Sequence, residues 1–494
     1  SEWLHWSRGG LNWNTMCADC HSTNVRKNYD QSSHSYTTKF SLLNVSCEAC
    51  HGPGKAHVED VNTLGDRYKN TGKLQMTLET EPKTLVDQCA RCHMRRAQVS
   101  KQFNFEGSLL DHYFPELITE PIYHPDGQIL DEDYVYGSFV QSKMYHNDVT
   151  CVDCHDAHSL KLKFEDNRLC AQCHVPETYD TPKHHFHEDG SEGADCINCH
   201  MPGKFYMGND FRRDHSFRVP RPDLSLEYNT PNACVGCHKD KDNAWATEAF
   251  VKLYGTPDNT HFSDLLAPGL RGHINGMESL LTLVKDTVYP DIARASGVKG
   301  MRNYMNANTV NELLSFLNDE SPLVRGATLD VLSELNTTNY INYLLPLLKD
   351  KKRAVRVKAF FGLATLSESQ IPEAYSEVYK KVKIEFFTAL DVTSDFTGGR
   401  VKRADYYLKK GDLLKGIEGY ENALKIDGLN NIIRTNLANL YYNNGQAEKA
   451  ESAFKIIIEQ EPAFGPTYYS LGLLLAELER TEEAIEQLEK ARDY

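Results

Sequence analysis

A histidine stands directly after the second cysteine of every cysteine pair in this chain, and no other feature restricts so strongly what it can fold into. The fourteen cysteines pair as Cys17 with Cys20, Cys47 with Cys50, Cys89 with Cys92, Cys151 with Cys154, Cys170 with Cys173, Cys196 with Cys199 and Cys234 with Cys237. They are followed by His21, His51, His93, His155, His174, His200 and His238. Two thiols about one helical turn apart can add to the two vinyl groups of one haem, and the next imidazole then reaches the iron from the same side. Seven covalently bound haem c groups are therefore expected, with these seven histidines as proximal ligands. Structural zinc usually needs two such pairs per ion and would leave one pair unmatched. Disulfides would explain an even cysteine count but not the histidine after each pair.

All the cysteines lie between Cys17 and Cys237, so two chemically different parts meet near position 240. With 494 residues the chain is too long for a single core. The expected organisation is mainly α: a loop-rich haem head with short helices over 1–240, HEAT-like helical repeats over 241–370, a linker over 371–400 and tetratricopeptide repeats over 401–494. A head built this way has haem for its core, and its apoprotein is not expected to fold. Against 54 basic residues stand 69 acidic ones, a formal charge of -15, which argues against nucleic acid as a partner. No apolar run approaches the roughly 20 residues needed to cross a bilayer. The opening SEWLHWSRGG has neither an initiator Met nor the pattern of a signal peptide, so the chain is expected to begin after processing or inside a longer protein.

An electron-transfer haem has both axial positions filled by protein, whereas a haem that binds substrate needs one open. Thirteen histidines remain beyond the proximal seven. His57 in CHGPGKAH, His158 in CHDAHS and His215 in RRDHSF are the foremost distal candidates. The first two lie too close to their own motifs to wrap round the same haem and should cap a neighbour. The cluster KHHFH offers His184, His185 and His187, one or two of them as ligands and His185 foremost; a surface metal site is the alternative there. His112, His124 and His146 divide evenly between ligand and ordinary polar residue, and His5, His34, His261 and His273 are weaker.

After Trp245 apolar residues recur with helical period. LLTLVKDTVYPDIARAS, LLSFLNDESPLVRGAT and LLPLLKDKKRAVRVKA align so that Arg294, Arg325 and Arg356 are evenly spaced, in the manner of HEAT repeats. The arginine ladder is expected to be structural, bonding to loop aspartates of adjacent units. From about Arg400 the period lengthens: Ala404, Ala438 and Gly472 recur at the tetratricopeptide spacing, as do Ala450 and Ala484, with Pro462 at a repeat junction. Three such repeats are expected, in an array that continues in the parent protein. Solenoids of this kind present surfaces to partner proteins or serve as spacers.

The runs LNWNTMCADCHSTN, VSCEACHGPGKAH, ILDEDYVYGSFVQSKMYHNDVTCVDCHDAHSLK and DHSFRVPRPDLS resemble a bacterial family of multihaem cytochromes with C-terminal tetratricopeptide repeats. Motifs such as CHGPGxxH also look like those of the larger group that contains cytochrome c554, hydroxylamine oxidoreductase and octahaem tetrathionate reductase. The resemblance implies His57, His158 and His215 as distal ligands and an exported protein, periplasmic or extracellular. Members of the family usually carry a further motif upstream, which leaves room for an eighth haem in a longer native chain.

The function expected is electron transport along closely packed haems between redox partner proteins. One version is polymeric, with copies stacked into filaments and a distal histidine crossing the interface. The alternative is a reductase or oxidase of small nitrogen or sulfur compounds, for which Arg95, Arg96, Lys143, Tyr145, Arg212 and Arg213 could serve an open haem. No motif replaces its proximal histidine with lysine, and an electron carrier is preferred over an enzyme. A third reading, a sensor or assembly protein, accounts for the repeats but not for the haem motifs.

Overall fold

A computed structural model describes residues 12–67, 69, 74–77, 79–206, 208–257 and 260–494. The chain is mainly helical and divides into two compact units. One joins the described part of 1–49 with 98–103 and 363–494, and the other holds 50–97 and 104–362. Packing thus groups the chain differently from its composition, which changes near 240.

In the second unit, elements before residue 240 are short. Cys151–Cys154, Cys196–His200 and Ala233–Cys237 are single helical turns, and the fifth motif begins in the 3-10 segment Asp166–Gln172. Local capping starts these turns where nothing longer could sustain them. Thr150 donates its amide and hydroxyl to Asp153 at 2.7 and 2.8 Å, and Asn232 accepts from the amide of Val235 at 3.0 Å. Gly203–Tyr206 and Asp210–Arg213 form an antiparallel hairpin.

The same unit ends in helix pairs of the 31-residue period: Gly276–Lys285 with Asp291–Gly300, Ala307–Phe316 with Pro322–Leu332, and a short helical stretch from Ile341 leading to Arg353–Gly362. Arg294 reaches Asp319 at 2.5 Å and Arg325 reaches Asp350 at 2.8 Å, each bonding forward to the loop of the next pair. Arg356, at the last position, donates to the carbonyls of Asp350 and Lys351, as Arg325 does to those of Asp319 and Glu320. The planar fork suits this role because it serves a carboxylate and a backbone oxygen at once.

The repeats also bind part of their own chain. The segment between the third and fourth motifs buries Leu109, Tyr113, Phe114 and Ile118. The amide of Ile118 donates to Ser296 Oγ at 2.8 Å, Lys352 Nζ donates to Ser108 Oγ at 2.8 Å, and Lys358 stands 3.7 Å over the Phe114 ring. A methyl group on Gly326 would lie 2.7 Å from that ring, so the approach requires glycine. This repeat surface is occupied in cis.

The first unit holds the three tetratricopeptide helix pairs, Thr397–Lys409 with Leu413–Leu424, Asn431–Asn443 with Ala447–Gln460, and Gly465–Glu477 with Thr481–Asp493. Ala404, Ala438, Ala450 and Ala484 are buried where the helices of the array touch. Part of 371–400, expected as a linker, is the twenty-residue helix Glu373–Val392, whose Tyr379, Val382 and Phe386 recur with helical spacing and are buried.

A hairpin that follows the first motif, Tyr29–Asp30 with Ser35–Tyr36, joins this unit through buried polar contacts. Arg400 donates to Tyr29 Oη at 2.7 Å, while Asp395 accepts from Lys27 at 2.6 Å and from Tyr36 at 3.1 Å. Both charges of the Lys27–Asp395 pair are largely withdrawn from water, so removing one leaves the other uncompensated. Asp395→Ala is expected to destabilise this unit by about 3 kcal/mol, read from denaturant unfolding.

Candidate haem-attachment sites

Four motif histidines face a second imidazole. Ring centres are 6.0 Å apart for His51 and His158, 6.4 Å for His155 and His215, 6.2 Å for His200 and His184, and 6.1 Å for His238 and His187. The interplanar angles are 18°, 21°, 11° and 32°. Direct stacking would bring such rings closer. An iron about 2 Å from each ligating nitrogen puts two trans imidazole centres about 6 Å apart, the separation found here.

In each pair one imidazole has its outer nitrogen held as a ligand histidine needs. Nδ1 of His51 lies 2.8 Å from the carbonyl of Met76, that of His200 2.8 Å from Arg218 O, and that of His215 2.9 Å from Arg213 O. His187 Nδ1 bonds likewise to His185 O. Donation of Nδ1–H to a carbonyl selects the tautomer whose Nε2 lone pair is free for a metal. Burial pulls the pKa of His155, His184 and His215 below the ordinary value, which favours the neutral imidazole. The donor set and its spacing fit haem iron, which each imidazole pair would hold and whose porphyrin the two thiols of the adjoining motif would anchor.

The cysteines stand where a thioether could form. None of the fourteen is fully buried. The second thiols of the motifs are the more open: Cys50, Cys173 and Cys237 are exposed, while Cys20, Cys92, Cys154 and Cys199 are half-buried. Of the first thiols Cys47 is exposed, and Cys17, Cys89, Cys151, Cys170, Cys196 and Cys234 are half-buried. Successive motifs also touch. The free thiols of Cys89 and Cys151 lie within hydrogen-bonding reach of one another, as do those of Cys170 and Cys196, and Cys196–His200 packs against Ala233–Cys237.

Of the KHHFH cluster, His184 and His187 are the two that face motif histidines. The one-turn helix Pro182–His185 ends at Phe186, whose left-handed φ of 58° turns the chain so that the next imidazole points elsewhere. His185, the foremost of the three in the sequence, is buried between them. Its Nδ1 accepts from the amide of His187 at 3.2 Å, and its Nε2 lies 3.7 Å from Asp189.

The other candidates are dispersed. His57 is half-buried on the helix Lys55–Leu64. His112 is buried, with Nε2 2.7 Å from the carbonyl of Glu106. His124 sits in a turn where burial lowers its pKa, and His146 is exposed at the end of Lys143–His146. His34 contacts Tyr29 and Arg400, His261 caps the helix Phe262–Leu270, and His5 lies outside the described residues. His93 lies within electrostatic reach of His155 and Arg212, and His174 lies edge-on to Tyr179 at 5.7 Å. Among the described residues, no group of three or more His, Cys, Asp or Glu converges as a zinc site requires.

The sequence gives no warning of the supporting role of Arg213. Its guanidinium donates to the carbonyls of Ile197 and Met201, both at 3.1 Å, and to Asn198 Oδ1 at 3.0 Å, clamping the turn of the sixth motif.

Comparison with known proteins agrees with this chemistry. The profile of the cytochrome c554 and c-prime family matches residues 7–52, and the tetratricopeptide repeat profile matches 401–466 and 435–494. The chain is a multihaem cytochrome with C-terminal tetratricopeptide repeats. As such the cytochrome carries covalently bound haem c. It is 24% identical over 209 residues to the multiheme cytochrome MtrA of Shewanella baltica, covering 42% of this chain and 45% of that one. It is 30% identical over 138 residues to a TPR repeat-containing protein, MJ1428, of Methanocaldococcus jannaschii, covering 26% and 24%. The cytochrome thus spans less than half the length of either curated relative. Among solved structures, the outer cell wall cytochrome OcwA aligns at 15% identity and a TM-score of 0.35 over 65% of this chain and 75% of that one. YrrB, a TPR protein with an unusual peptide-binding site, aligns at 21% and 0.23 over 37% and 91%. No helix among the described residues is long and apolar enough to cross a membrane.

Beside the third motif, Asp133 is buried and accepts from the amides of Arg95 at 3.2 Å and Tyr134 at 2.6 Å. Burial outweighs these bonds and pushes its carboxyl up to about 6. The folded protein therefore keeps a proton that the unfolded chain releases. Stability from this group is complete below about pH 4 and falls by about 3 kcal/mol as the pH rises through 6. Asp133→Asn is expected to remove that slope, measured by urea unfolding at pH 4 and pH 7.

Proposed function

We propose that this cytochrome carries electrons along seven covalently attached haems, in the periplasm or at the surface of a bacterium, passing them between redox partner proteins. The observation that carries the reading is the four imidazole pairs at iron-spanning separation. In this reading the thioethers form on Cys17 and Cys20, Cys47 and Cys50, Cys89 and Cys92, Cys151 and Cys154, Cys170 and Cys173, Cys196 and Cys199, and Cys234 and Cys237. His21, His51, His93, His155, His174, His200 and His238 are the proximal ligands. His158, His215, His184 and His187 cap the irons on His51, His155, His200 and His238. For the remaining three irons His57, His124 and His146 are the candidates, with His112 held by Glu106. Bound haem supplies one-electron chemistry; the chain fixes ligand, tautomer and spacing.

Closure of both axial positions at the four paired irons favours a carrier over a catalyst, and the contacts between successive motifs favour short gaps between cofactors. Export agrees with haem c being attached outside the cytoplasmic membrane in bacteria. The tetratricopeptide array is the part suited to docking a partner or a second copy.

Low-temperature electron paramagnetic resonance of the oxidised holoprotein, with and without nitrite, hydroxylamine or cyanide, tests the reading. Seven low-spin haems indifferent to these ligands are expected. A high-spin haem shifted by any of them would transfer the protein to the reductase class.

A further inference from the structure

The helix Asn243–Tyr254 reaches the proximal histidine of the seventh motif near its start and the His184–Phe186 stretch of the histidine cluster at its end. Near its start, the Trp245 ring lies 5.0 Å from that of His238, the proximal histidine. At its end, Tyr254 donates its hydroxyl to the carbonyl of His184 at 2.7 Å and meets the Phe186 ring edge-on at 5.2 Å. Phe186 is the left-handed residue between His184 and His187, the two imidazoles that face His200 and His238. A phenylalanine persists there only where its surroundings hold it, and Tyr254 grips the peptide on one side of the bend and the ring at its centre. His185 completes the lock through its two bonds to His187. Gly193 leaves the space into which the His187 ring fits, since a Cβ there would collide with it.

We propose that Pro182–His187 is a two-headed clip and that Tyr254 is its positioning residue, so that one side chain sets the distal ligands of two irons together. The proposal rests on the axial assignments above. Trp245, on the proximal side, bears on the iron of His238 alone. The angle between axial imidazole planes governs the g anisotropy of a low-spin ferric haem, so movement of the clip is visible without loss of either ligand.

The test is electron paramagnetic resonance of the oxidised holoprotein in a set of variants. His184→Ala and His187→Ala should each make one haem high-spin; if neither does, the axial assignments fail. Where they hold, Tyr254→Phe is expected to shift two low-spin signals with no change of spin, Trp245→Leu to shift one, and Val251→Ala, on an exposed part of the same helix, to shift none. Tyr254→Ala should enlarge the paired shift. Signals unmoved in both Tyr254 variants, or a shift confined to one haem, would overturn the clip.

Discussion

His158→Ala is expected to convert one haem of the protein to a high-spin form that binds cyanide, with the other haems unchanged. The iron concerned is that of the second motif, because His158 faces His51 and not its sequence neighbour His155. His51 keeps its bond to the carbonyl of Met76, so the proximal side survives the change. Exogenous imidazole should enter the space left by the side chain and restore the low-spin spectrum, a rescue that a merely unfolded head cannot give. His185→Ala is the informative contrast. It lies in a histidine cluster yet faces no motif histidine in the pairs described, and no high-spin signal should follow. Optical and paramagnetic spectra of the two variants, with and without imidazole, check both statements.

Production of the chain without haem attachment, by replacing the cysteines with serine, is expected to leave its two ends in very different states. The one-turn helices of the motifs are far below the roughly 12–15 residues an isolated helix needs, and two-stranded hairpins are marginal alone. Residues 141–240 should become open to protease, whereas 262–362 and 363–494 should each resist it and keep most of the far-ultraviolet helical signal, because each buries aliphatic side chains of its own. The segment from Leu109 to Ile118 should be protected with the repeats on which it packs. Limited proteolysis with mass analysis of the fragments reads this directly. Equal resistance along the chain would show that haem is dispensable for the head.

The parts that were legible beforehand are those whose signal is local. The motifs show themselves by spacing alone, and Arg294 and Arg325 could be assigned to loop aspartates because a repeat brings the same positions together each time. Distal partners are different in kind. His51 meets His158 and His155 meets His215 across long stretches of chain, and nothing near either residue encodes the meeting. In KHHFH the choice turns on one backbone angle at Phe186, which the sequence does not mark because phenylalanine seldom adopts it. The helix Glu373–Val392 was legible in principle from the spacing of Tyr379, Val382 and Phe386, but its charged residues make the stretch look like a linker.

Solenoids commonly gain and lose units over evolutionary time, since each unit needs only its neighbours. Here the strand of chain from Ser108 to Ile118 is fastened to Ser296 in one pair and to Lys352 and Lys358 in another two steps along. Inserting or deleting a unit between those anchor points would stretch or slacken the fastened strand by the length of a repeat, and with it the polypeptide that leads into the fourth motif. The number of units between them is therefore held constant by the head, as the rungs of a ladder are fixed once both rails are nailed to a wall.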